Sequence, residues 1–158
     1  LSTDYRASVK AYGALVSRGN EATALLETEL MKRSNSFELI TTLHLLGEIG
    51  KESAPVPASI IAVMERNAVG SVRGAAALAL SRIGIPSQDV KNALEGKLQD
   101  SDLYVRICAG RALKDIWPEC ELPEDVREEI QDQEKSSRRK HFRFFLQTVK
   151  KTSTMAGT

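Results

Sequence analysis

The sequence predicts an all-α fold of about four stacked helix pairs, followed by a basic C-terminal helix. Three observations carry this expectation. Ala and Leu are abundant, while aromatic residues make up only 5% of the 158 residues, a balance that favours helix formers over the residues strands prefer. A helical pattern is written twice: VRGAAALALSRIG begins at Val72, and VRICAGRALKDIW begins at Val105, thirty-three positions later. Between and around these copies lie shorter amphipathic segments.

The first pair is expected in DYRASVKAYGALVSRG and NEATALLETELMKR, with Asp4 and Asn20 placed as N-caps. ELITTLHLLGEIG follows, and its Leu45, Leu46, Ile49 and Gly50 match the Val72 copy at an offset of thirty-four. PASIIAVMERN offers Ile60, Ile61 and Met64 as an apolar face. In the Val72 and Val105 copies, Val72 meets Val105, Ala75 meets Cys108, Ala76 meets Ala109, Ala79 meets Ala112, Leu80 meets Leu113 and Ile83 meets Ile116. These offsets trace one helical stripe. Its side chains are short, so this face is built to press against a neighbour. Gly50 and Gly84 follow Ile at the helix end, where glycine closes a helix in the left-handed conformation. Trp117 and Pro118 hold that place in the third copy, and proline cannot continue the helix.

SQDVKNALEGKLQD supplies Val90, Leu94 and Leu98, with Ser87 as N-cap. LPEDVREEI supplies Val126 and Ile130, with Pro123 near its start. QDQEKSS then reads as a polar hinge before SSRRKHFRFFLQTVKK. A helix on such a hinge could exchange onto a second copy, a route to a homo-oligomer. The expected domains are residues 1–131, the stacked pairs, and residues 132–158, hinge and basic aromatic helix.

Charge is segregated. All 21 acidic residues precede Lys135, whereas seven of the 22 basic residues lie from Lys135 onward. The tail also holds three of the four phenylalanines. Phe142, Phe145, Leu146 and Val149 share a helical face and Phe144 falls off it. Arg138, Arg139, Lys140, Phe142, Arg143, Phe144 and Phe145 are therefore candidates either to cap the last repeat or to dock on a partner. A protein groove ranks first, and an anionic membrane surface or nucleic acid ranks behind it.

The repeat resembles the HEAT family, in the short form also found in phycobilin lyase subunits. The resemblance spans roughly residues 4–131 and rests on DSDLYVRICAGRALKDI, beginning at Asp100, and VGSVRGAAALALSRIG, beginning at Val69. The Asp-x-Asp-x-x-Val-Arg pattern is complete once, as Asp100, Asp102, Val105 and Arg106; Val69, Gly70 and Ser71 stand where the other copy should carry acids. The resemblance implies a right-handed α-solenoid. Each pair's first helix would line the convex side and its second the concave side. Glu65, Arg66, Lys91, Glu95 and Arg127 become candidates for a concave partner-binding surface, with Lys97, Gln99 and Glu128 beside them. Arg73 and Arg106 read as a local ladder with Asp100 and Asp102 between repeats, in preference to anion binders.

The function expected is noncovalent protein binding, as an adaptor or scaffold. The alternatives are an accessory subunit of the phycobilin-lyase type and a nucleic-acid or anionic-surface binder acting through the tail. Enzymatic activity, a cofactor and a metal site are not expected. HEAT-like hydroxylases carry paired His-Glu motifs for iron, and neither His44 nor His141 precedes a Glu. A HEAT-like glycosylase would need a basic, aromatic groove with a carboxylate; Asp115 near Trp117 is a thin match inside an acidic body. No phosphate loop, catalytic triad or Cys-His metal spacing occurs. The two cysteines make no disulfide framework; Cys108 reads as a small core residue and Cys120 as a loop thiol. No leader pattern opens the chain, which starts at Leu1, and a cytoplasmic location is favoured.

Overall fold

A computed structural model describes residues 18–32, 35–49 and 57–136. All regular secondary structure among them is helical: α1 (Asn20–Lys32), α2 (Ser36–Ile49), α3 (Pro57–Arg66), α4 (Gly70–Ile83), α5 (Gln88–Lys97), α6 (Leu103–Ile116) and a helical run over residues 124–136. No described helix is long and apolar enough to cross a membrane. The chain divides into two compact units, Leu1–Leu122 and Pro123–Thr158.

In the first unit each short helix packs on the long helix that follows it: α1 on α2, α3 on α4, α5 on α6. The three long helices pack side by side in the order α2, α4, α6, and the short ones touch along a second row. The small-residue stripe sets this arrangement. Ala76, Ala79, Ala109 and Ala112 are all buried, with Val72, Leu80, Val105 and Leu113 beside them. The contacts between long helices keep an offset close to one repeat. Gly47 lies against Ala79, Gly74 against Tyr104 and Cys108, and Ser81 beside Asp115. An offset that stays near one repeat at both ends means the three helices run parallel and in register. From the short helices, Ile60, Met64, Val90 and Leu94 fill the space between the rows. Each such side chain contributes about 1.5–3 kcal/mol relative to exposure.

Several helix ends follow from local chemistry. Gly84 adopts φ 68° and its N–H donates to the Leu80 carbonyl, the left-handed closure expected of it. Gly50 and Asp4 lie outside the described residues. The Ser87 hydroxyl accepts from the Val90 N–H at 3.3 Å and caps α5. Trp117 ends α6, and Lys114 Nζ donates to the Pro118 carbonyl at 2.9 Å.

Two expectations are corrected. Asn20 is not the cap of α1 but its first helical residue. The capping position belongs to Gly19, whose carbonyl accepts from the Thr23 N–H and whose φ is 48°. Nor are residues 131–136 a hinge, because the helix that starts after Pro123 runs on through them. Gln133 donates to Glu129 at 3.2 Å and Lys135 pairs with Asp132 at 3.3 Å, side-chain pairs at helical spacing that support a polar helix. With no Gly or Pro between 124 and 136, nothing breaks it. The break in compactness falls earlier, at Leu122–Pro123. Residues 137–158, including every partner-binding candidate in the tail, lie outside the described residues.

Candidate functional site

The outward positions of the three long helices line up by the repeat. Phe37, Ser71 and Tyr104 stand at equivalent places near the N-termini of α2, α4 and α6. Glu48, Arg82 and Asp115 stand near the C-termini. At the C-terminal rim, polar contacts cross from helix to helix. Arg82 Nε lies 3.4 Å from Glu48 Oε1, and Arg82 Nη1 donates to His44 Nδ1. Ser81 Oγ donates to Asp115 Oδ2 at 2.6 Å. Arg82 and Glu48 thus pair on that edge, while Asp115 is held by a hydroxyl.

The N-terminal rim is different. Phe37 is 78% exposed and Tyr104 is 47% exposed. Beside Tyr104 a cleft of about 170 Å³ runs along the helices, lined by Ile40, His44, Ser71, Ala75, Leu78, Arg82 and Tyr104. Gly74 makes room for the Tyr104 ring, since a Cβ there would overlap it. Cys108 lies beneath, almost fully buried, and burial pushes its thiol up despite the neighbouring Tyr104 hydroxyl and Arg111. A neutral buried thiol is a poor nucleophile, so Cys108 serves packing here.

Below this face, between repeats, Arg73 forms a clamp. Its Nε and Nη2 donate to the two oxygens of Asp100 at 2.9 and 2.6 Å. Its Nη1 donates to the carbonyls of Asn67 and Ala68 at 3.0 and 2.9 Å. The forked geometry of guanidinium suits this double duty. The Arg73 guanidinium holds the Asp100 carboxyl below the usual carboxylate range, with the Asp102 N–H and Lys97 assisting against burial. Arg106 repeats the six-residue reach, donating to the Asp100 carbonyl at 2.8 Å. Asp102 caps α6 by accepting from the Tyr104 N–H at 2.9 Å, and its carboxylate fills the space a Cβ at Gly70 would need.

One element of this network is absent from the sequence reading above. Asn35, Asn67 and Asp100 each accept, through the side chain, from the N–H two residues on: Phe37, Val69 and Asp102, at 2.9, 2.9 and 3.0 Å. The same turn therefore precedes each long helix. Its signal is an Asx residue at intervals of thirty-two and thirty-three, with Asn67 standing thirty-three residues before Asp100 and two before Val69.

The candidates for a concave surface lie on α3, α5 and the 124–136 helix. The packed pairs are α1–α2, α3–α4 and α5–α6, so the second helices are α2, α4 and α6. Glu65 and Arg66 end α3, and Lys91 and Glu95 lie on α5; all four belong to first helices. The repeat alone leaves open where a pair begins, and the contact between α3 and α4 decides it. Lys91 sits 5.9 Å from the Trp117 ring centroid and 4.0 Å from Glu95. Arg127 belongs to the 124–136 helix, 3.8 Å from Glu124. His44 is an exposed helix residue that accepts from Arg82, and Asp115 accepts from Ser81. Among the described residues no group of three His, Cys, Asp or Glu could hold a metal. No protein-family profile, no curated protein and no solved structure matches the chain.

Proposed function

We propose that this chain is a protein-docking module, a HEAT-like α-solenoid that receives a segment of a partner protein noncovalently on the outward face of α2, α4 and α6. The observation that carries the reading is the cleft walled by exposed Tyr104 on in-register parallel helices, with exposed Phe37 three residues before the lining residue Ile40 on α2. Aromatic side chains at the centre of a surface supply large contact area at low entropic cost and recur at binding hot spots. Rigid helices fix their spacing, so a partner would meet a preformed surface.

A photo-crosslinking residue at position 78, in the cleft, tests this, with position 89 on α5 as the control. Capture from position 78 of one partner, reproduced with that partner purified and lost in Tyr104→Ala, supports the reading. Equal capture from both positions refutes it. The seven cations from Lys135 onward favour a second reading, nucleic-acid binding through the tail. That reading requires affinity for duplex DNA or RNA that falls steeply with salt and disappears when residues 137–158 are removed.

A further inference from the structure

We propose that a second cleft, between α1, α2 and α3, is a docking site for an acidic peptide segment presenting one large apolar side chain. Leu30 and Leu39 form its base, only 2% and 4% exposed, and Ala62 and Val63 form its wall. Its volume is about 210 Å³. Small-molecule pockets begin at roughly 300 Å³, so this one suits a single side chain. Met31 stands at the lip, 65% exposed. A thioether chain with three rotatable bonds can fold over apolar groups of different shapes.

The charge of the occupant follows from Arg66. This residue lines the cleft at the end of α3, is exposed, and makes no hydrogen bond or ion pair among the described residues. The arginines of the next helix, α4, are committed: Arg73 to Asp100, and Arg82 to Glu48 and His44. Glu65, its neighbour in sequence, is exposed and is not among the residues that line the cleft. An open guanidinium beside an apolar hollow complements a carboxylate placed next to a large hydrophobic residue, since it can hold both oxygens at once. The site stands apart from the α2, α4 and α6 face, so its failure would leave that reading intact.

Fluorescence polarisation of the full chain with a short labelled peptide, one phenylalanine among glutamates and serines, tests the assignment. Saturable binding is expected, weakened about tenfold by Arg66→Glu, the loss of a charge-assisted hydrogen bond. Ala62→Phe, which fills a partly exposed wall, should abolish binding while circular dichroism stays unchanged. Lys32→Glu makes the same charge change on another face of α1 and should alter affinity by less than about twofold. Equal binding of a peptide with serine in place of phenylalanine would overturn the proposal, as would indifference to Arg66→Glu. A short-chain fatty acid that displaces the peptide would assign the cleft to a free amphiphile, and self-association that blocks it would assign it to a second copy; either result overturns the peptide assignment.

Discussion

At the scale of single residues, the joint between repeats depends on one charge pair. Side chains of Arg73 and Asp100 are only 12% and 7% exposed, so the pair is shielded enough to matter and close enough to the surface to escape a full desolvation cost. Asp100→Asn keeps the shape and removes the charge. It should cost about 2 kcal/mol, the loss of charge-assisted hydrogen bonds, read as a lower urea midpoint at unchanged slope. The pH dependence has a definite sign. Because the folded carboxyl titrates below its unfolded value, the unfolded chain binds more protons in acid. Stability from Asp100 is therefore complete above about pH 4 and drains away as pH falls. The Asn variant should lose stability less steeply below that pH than the parent chain. An identical acid slope in both would mean Asp100 is not the titrating group.

At the scale of elements, two glycines separate backbone freedom from close approach. Gly84 has open space around it, with only the Ser81 carbonyl near at 3.7 Å, but its φ is positive. Gly84→Ala should cost about 1 kcal/mol from the left-handed penalty alone, and no second mutation should recover it. Gly74 is helical and costs nothing in φ, yet a side chain there meets the Tyr104 ring. Gly74→Ala should destabilise by about 1–3 kcal/mol, as overpacking does, and Tyr104→Ala should restore much of that loss in a double-mutant cycle. Of the two, Gly84 was legible in sequence because Ile-Gly ends a periodic segment, whereas the need for Gly74 depends on a ring thirty residues away. The core stripe from Val72 to Ile83 was legible for the same reason: periodicity reports burial directly. The hinge misreading shows the opposite limit. Polarity marks residues that do not need a core, but it does not say whether side chains at helical spacing will pair, as Gln133 and Glu129 do. The start of each pair was also hidden, because a repeat has no phase until packing chooses one.

At the scale of the whole first unit, contacts run from neighbour to neighbour: α2 meets α4, α4 meets α6, and α2 and α6 are not packing partners. Helix α4 is therefore supported on both sides and by α3 beneath, and Val72, Ala76, Ala77 and Ala79 are all buried. Among the described helices α1 packs on α2 and touches α3, with Leu25 and Met31 exposed. Local openings should follow this order, because a helix can come away only by breaking the interfaces it owns. Amide hydrogen exchange should find α4 exchanging only through global unfolding and α6 through openings that also release α5, its packing partner. Helix α1 should exchange by openings of lower free energy. The Asp100→Asn change should then act regionally. It loosens the Arg73 joint, so α5 and α6 should gain exchange first while α1 and α2 keep their rates. A uniform rise in exchange across all six helices would show that the unit unfolds as one block and that its interfaces are not separable in this way.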